Sequence, residues 1–339
     1  MKYASILFCL IIMGCKTYKT KPDYQNLSIA FGSCNHQNKP NQLWQPILDS
    51  GAELWIWGGD NIYADTEDMQ KMQADYFTVK SNPLYQKLEQ RMQVLGTWDD
   101  HDYGKNDAGY EYPKKQEAQQ LLLDFLSVPA QDPRRKREGV YYKYPIVKGN
   151  YSAEVLLLDT RSFRTVLNKA PRSSGKRYQP NADGQGTILG EAQWKWLEQN
   201  IKNSSADVLI LVSSIQVLSQ EHGFETWGNF PHERQRLLAL LAKHQKPVLI
   251  LSGDRHISEF SEVKLPEASY PLVDFTSSGL THAYRNFTDD PNTFRSGEVV
   301  STESFGWLNV DFKLKKITLQ MRGENGVILQ EKIFDYARP

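Results

Sequence analysis

The chain is poor in cysteine: it has three, Cys9, Cys15 and Cys34, too few to staple a body of 339 residues. Neither sign of charge prevails. Lys and Arg together number 40, as do Asp and Glu, so no basic surplus marks a nucleic-acid binder, and no nucleic-acid-specific binding is expected. The apolar stretch at 4–13 is too short to span a bilayer. Internal repeats and low-complexity tracts are missing. So are the Gly-x-Ser-x-Gly elbow of serine hydrolases, the P-loop and the dinucleotide fingerprint. What remains is ordinary globular material, 40% apolar and 24% charged, of a length that one large α/β core can absorb.

The first residues stand apart from that material. Met1-Lys2, the apolar run and Gly14-Cys15 read as a signal peptide. Ile12-Met13-Gly14-Cys15 resembles an imperfect bacterial lipobox, which implies cleavage before Cys15 and lipid on its thiol; an ordinary secretory signal is the alternative. On that reading 1–14 is a signal peptide, 15–26 a polar tether and 27–339 one folded domain. The product is exported and held to the membrane through Cys15, in the bacterial cell envelope and facing the periplasm. Cys34 is then alone in an oxidising compartment, and such a thiol needs a reason.

Short apolar, β-branched runs at 27–32, 53–57, 93–98, 153–158, 208–213, 248–252 and 272–276 predict buried strands. Helical patterns at 42–49, 113–127, 190–203 and 231–244 lie between several of them, and the alternation predicts an α/β sandwich. The tail differs. Runs at 307–314, 317–322 and 327–334, separated by Lys315-Lys316 and Glu324-Asn325-Gly326, predict antiparallel hairpins and hence mixed sheets.

Polar residues gather at the C-terminal ends of five runs: Ser33-Cys34, Gly59-Asp60-Asn61, Asp99-Asp100-His101-Asp102, Asp159-Thr160-Arg161 and Gly253-Asp254-Arg255-His256. Ligands of open α/β sheets sit at the carboxyl ends of strands, so the five predict one crevice. Several acids packed together repel one another unless cations lie between them. Thiolate, phenolate and imidazole suit a transition metal, whereas carboxylates suit calcium, magnesium or manganese. The expectation is a dinuclear centre: Cys34, Tyr63 and His256 on one ion, Asp100 and Asp254 on the other, and Asp60 bridging. Asp99 and Asp100 compete for one place. Five anionic donors balance one trivalent and one divalent cation, which favours iron(III) on the sulfur side. Two such ions can activate water for in-line displacement at phosphorus. Arg161 would then grip the phosphate through its guanidinium fork. His101 would protonate the leaving alkoxide, with Asp102 orienting its ring. Asn61, beside Asp60, is a further candidate for substrate contact.

These segments resemble the alkaline phosphatase D (PhoD-like) branch of the calcineurin-like metallophosphoesterases. The matches run in order through Phe31-Gly32-Ser33-Cys34, Gly59-Asp60-Asn61-Ile62-Tyr63-Ala64-Asp65, Thr97-Trp98-Asp99-Asp100-His101-Asp102 and Leu158-Asp159-Thr160-Arg161. They continue through Leu189-Gly190-Glu191-Ala192-Gln193-Trp194, Leu251-Ser252-Gly253-Asp254-Arg255-His256 and Thr276-Ser277-Ser278-Gly279-Leu280-Thr281. The resemblance implies a four-layer α/β/β/α metallophosphoesterase sandwich with mixed sheets, and hydrolysis of phosphate monoesters or diesters. It also implies an iron(III)/calcium-type centre, with manganese, magnesium or zinc as alternative divalent ions, and it selects Asp100 over Asp99. A non-catalytic phosphate- or polyanion-binding lipoprotein is the competing reading. Trp55, Trp57, Trp194 and Trp196 are expected to pack, and Arg134-Arg135-Lys136-Arg137 to form a solvated loop. Of the remaining histidines only His282, which follows Ser277-Ser278-Gly279, is singled out.

Overall fold

The computed structural model describes residues 25–337. The predicted signal peptide, Cys15 and most of the predicted tether lie outside them. Sheet 1 contains β1 (Asn26–Gly32), β2 (Leu54–Gly58), β3 (Gln93–Thr97) and the tail strands β10 (Phe305–Asp311), β11 (Lys316–Arg322) and β12 (Ile328–Asp335), in the order β12-β11-β10-β1-β2-β3. Sheet 2 contains β4 (Tyr142–Lys148), β5 (Tyr151–Leu157), β6 (Val208–Val212), β7 (Val248–Ser252), β8 (Ser258–Val263) and β9 (Leu272–Ser277), in the order β4-β5-β6-β7-β9-β8. The strands β1-β2-β3 and β5-β6-β7-β9 are parallel, while the outer strands run antiparallel. All seven predicted strands and the three tail strands are present, and Asn26 already belongs to β1, one residue inside the predicted tether.

Alternation along the strands makes the layers. Ile29, Phe31, Leu54 and Ile56 of sheet 1 face Val155, Ile210, Leu249 and Phe275 of sheet 2 in the central core. Trp55 and Trp57 point the other way. They pack under the helices α1 (Trp44–Asp49), α2 (Met69–Lys80), α3 (Pro83–Arg91) and α5 (Lys115–Phe125). On the far side Leu156, Leu209 and Ile250 meet Trp194 of α6 (Gly190–Asn203) and Leu237 of α7 (Pro231–Ala242). The result is α/β/β/α, as expected.

Four elements escape the apolar pattern. The helices α2 and α3 are marked by their caps instead. Asp68 accepts the N–H groups of Gln70 and Lys71, and Asn82, followed by Pro83, accepts those of Leu84 and Tyr85. Strand β4 carries Pro145 and pairs only with β5, as an edge strand can; β8 is the opposite edge of that sheet. The Arg134–Arg137 run is not a solvated patch. Arg134 pairs with Asp132 and lies over Tyr142, and Arg137 lies over Tyr141.

The sheets converge at the C-terminal ends of their parallel strands. Ser33 and Ser278 form a parallel bridge between them, and the N–H of Gly279 donates to Ser33 O at 3.2 Å. Two glycines permit this closeness. A Cβ on Gly253 would sit 2.5 Å from Ser33 Oγ, and one on Gly59, whose φ is +102°, would sit 2.6 Å from Asp99 Cβ.

Candidate metal centre

The convergence brings four loops together. Cys34 follows β1, Asp60 and Tyr63 follow β2, α4 (Asp100–Tyr103) follows β3, and Asp254 and His256 follow β7. Cys34, Asp60, Asp254 and His256 all have left-handed backbones, with φ of 60°, 50°, 68° and 54°. A conformation of that kind costs on the order of 1–3 kcal/mol at a non-glycine residue and collects at functional sites. Here it turns four adjacent side chains inward.

Their polar atoms meet. Asp60 Oδ2 lies 3.4 Å from Cys34 Sγ and 3.2 Å from the Tyr63 hydroxyl, which is 3.0 Å from His256 Nε2. Donor atoms of Cys34, Asp60 and His256 fall within 4.8 Å of one another, as do those of Asp60, Asp100 and His101 and those of Asp99, Asp100 and Asp254. Asp60 thus joins two groups of donors, the place expected for a bridging ligand. All six predicted metal ligands are brought together.

The electrostatics fit cations. Burial above all, then Cys34 and Asp100, pushes the Asp60 carboxyl well above the usual range. Burial, with Asp99 and Asp100, does the same to Asp254. Burial also lifts the Cys34 thiol to about 11 against the hydrogen bonds of Ser278 and Tyr63. Groups placed this way ionise only beside a positive partner. Asp99 Oδ2 is buried and has no hydrogen-bond partner, an orphan that a cation would satisfy. Burial and the charge of His101 hold His256 down at about 4, which leaves the neutral, ligating imidazole.

His101 stands at the edge of this cluster. Its Nδ1 is bonded to Asp65 Oδ2 at 2.7 Å and its ring lies 4.2 Å from that of Tyr63. Asp65, not Asp102, therefore orients it. Asp102 is fully buried and accepts the backbone N–H groups of Asp60, Asn61 and Asp99, clamping two site loops together.

Two further expectations are corrected. Arg161 is fully buried, pinned between Asp99 and Glu225, and has no surface to offer a phosphate. Its loop turns inward because Asp159 accepts the N–H groups of Arg161 and Ser162. Asn61 is fully buried too, its amide donating to Thr97 O and Asp102, so it shapes the loop and does not touch substrate.

Other residues take the open positions. A cavity of about 410 Å³ lies over Asp60, Asp100, His101, Asp254 and His256. Its remaining wall includes Asn106, Asp107, Arg177, Tyr178, Phe224, Glu225, Arg255 and Tyr284. Arg177 pairs with Asp107 at 2.6 Å and Arg255 with Asp290 at 2.5 Å. Arg255 is legible between two predicted ligands; the others come from loops without periodicity. His282 packs 4.5 Å from His256 and 4.9 Å from Tyr63, centroid to centroid, and buttresses both rings.

A two-sheet sandwich with acids, a thiol and imidazoles at the convergent strand ends defines the metallophosphoesterase class of fold. The model of the family described as PhoD-like phosphatase matches residues 29–327, and the chain belongs to that family. Alkaline phosphatase D of Bacillus subtilis (strain 168) is 25% identical over 226 residues, which cover 57% of this chain but only 37% of that protein. The solved structure of PhoD superposes with a TM-score of 0.72 at 17% identity, covering 92% of this chain and 70% of that one. A dimetal phosphatase from Danio rerio has the same fold, with a TM-score of 0.57 at 11% identity over 92% of this chain and 99% of that one.

Proposed function

We propose that this chain is an exported, metal-dependent phosphoesterase, lipid-anchored through Cys15 in the cell envelope and acting on phosphate monoesters or diesters. The observation that carries the catalytic reading is the convergence of Cys34, Asp60, Tyr63, His256, Asp100 and Asp254 beneath an open cavity edged by His101. Cys34, Tyr63 and His256 would hold iron(III), and Asp100 and Asp254 calcium or another divalent ion such as manganese, magnesium or zinc, with Asp60 shared. Bound there, the two cations supply positive charge for phosphoryl oxygens and acidify water.

The chain's own residues do the rest. Arg177 and Arg255 stand at the cavity wall where an ester's outer oxygens would lie, in place of the buried Arg161. With Nδ1 committed to Asp65, His101 has Nε2 free to protonate the departing alkoxide. Chromogenic monoester and diester assays after chelation and reloading with iron, calcium and manganese test the reading. Turnover should vanish on chelation and return on reloading. Failure with every metal would leave the competing role, a polyanion-binding lipoprotein.

The acid role has its own pH signature. Burial works against the His101 imidazolium, yet the Asp65 bond and the charges of Asp100 and Asp60 outweigh it and raise the group to about 10. In the metal-free chain the protonated form therefore persists through neutral pH and is lost as pH rises through that value; with cations on Asp60 and Asp100, the Asp65 bond still favours it. Asp65→Asn removes one of the three carboxylates that favour the imidazolium, and Asn tolerates the left-handed backbone at this position, where φ is 45°. The alkaline limb of kcat for an alkyl ester is expected to move to lower pH. A 4-nitrophenyl ester, which leaves without a proton, should show little shift. An unmoved limb for both esters removes His101 from the acid role.

A further inference from the structure

We propose that the cavity rim selects phosphate esters whose alcohol carries a flat aromatic ring, of benzyl or nucleoside type, over glycerol-type aliphatic esters. The inference rests on the phosphoesterase reading and specifies its substrate class. Phe224 is 39% exposed and Tyr284 47% exposed. Single exposed aromatics need no explanation, but these two line the same cavity above the candidate metal ligands. Its volume of about 410 Å³ lies within the ordinary range for small-molecule sites, roughly 300–1,000 Å³.

Both rings are on a braced frame. The N–H of Tyr284 donates to His256 O at 2.7 Å, which ties the backbone that carries that ring to a predicted ligand. Phe224 is fixed from two sides. Its N–H donates to His222 Nδ1 at 3.1 Å, and the Arg255 guanidinium lies 4.1 Å from its ring centroid. Arg255 is itself held by Asp290. The neighbouring Gly223 O accepts the N–H groups of Arg177 and Tyr178 at 3.0 and 2.9 Å, so the second guanidinium belongs to the same wall. Rigid aromatic rings beside guanidinium groups stack with flat π-systems, and they offer a polyol no comparable contact. With the phosphate on the cavity floor, the ester's alcohol points toward this rim.

The test uses three monoesters of primary alcohols, so that intrinsic leaving ability is matched: benzyl phosphate, adenosine 5′-monophosphate and glycerol 3-phosphate. In the metal-loaded full chain, kcat/KM for at least one ring-bearing ester should exceed that for glycerol 3-phosphate by about tenfold or more, the scale of one stacking contact. In the double variant Phe224→Leu/Tyr284→Leu, which keeps apolar bulk but removes the rings, the ratio should fall toward one, chiefly through KM. A ratio near one in the parent chain, or a high ratio that survives in the variant, overturns the proposal. Equilibrium binding of benzylphosphonate against methylphosphonate, which needs no turnover, is the parallel readout. If no ester is hydrolysed, the phosphoesterase reading falls; the rim is then judged by binding alone, and equal affinities overturn it.

Discussion

Asp60→Asn is expected to lower phosphoesterase turnover by at least about a hundredfold, beyond the 10–100-fold typical of losing a partner outside the metal ligands. The carboxylate joins the sulfur, phenol and imidazole cluster to the carboxylate cluster, and among the described residues no other side chain belongs to both as it does. Asn keeps the shape and accepts the left-handed backbone at φ 50°. The loss should therefore appear with the fold intact and with fewer metal equivalents bound. In the chelated chain the sign reverses. Asp60 is a buried acid whose pKa is raised well above the usual range, so its ionisation costs stability as pH climbs above the ordinary carboxylate range. Chelated Asp60→Asn should then match or exceed the chelated parent chain in thermal stability at pH 8. Full metal content and near-normal turnover in the variant would refute the bridging role.

The second large effect falls on stability. Arg161 lies between Asp99 and Glu225, and Glu225 also pairs with Arg164 at 2.9 Å; all four side chains are essentially inaccessible. Removing the central cation leaves the Asp99 carboxylate buried without its partner, while Glu225 keeps only Arg164, a defect that typically costs about 3–5 kcal/mol. Arg161→Met should lower the urea midpoint accordingly, with the slope of the transition preserved. Adding Asp99→Asn to that variant should restore part of the loss, because it removes one uncompensated charge. A stable Arg161→Met chain with a raised KM would instead return Arg161 to the substrate.

The fold was legible because its central parallel strands are buried on both faces and read as apolar runs, as the Trp55-Ile56-Trp57 segment does. The helices α2 and α3 were missed for the opposite reason: they lie on the outside and declare themselves through Asp68 and Asn82, not through apolar period. Ligand candidates were legible because they sit at the ends of those same strands. Direction was not. Asp159-Thr160-Arg161 follows its strand in the same manner as Asp60, yet its loop closes on Asp159 and turns the guanidinium inward. Likewise Asp102 lies beside His101 in the matched motif, yet Asp65, 36 residues upstream, is the carboxylate that reaches the ring. The rim residues Arg177, Phe224 and Tyr284 lie in loops whose convergence depends on long-range packing.

The central claim is a two-cation centre built on Asp60, and stoichiometric reconstitution tests it most directly. The metal-stripped full chain is titrated with iron(III) and then calcium, and bound metal by elemental analysis is read beside turnover of a chromogenic phosphate ester. The account predicts two equivalents per chain, a visible thiolate- or phenolate-to-metal absorption with the first, and full turnover only with the second. Binding of one equivalent or none, or turnover independent of both, would contradict it.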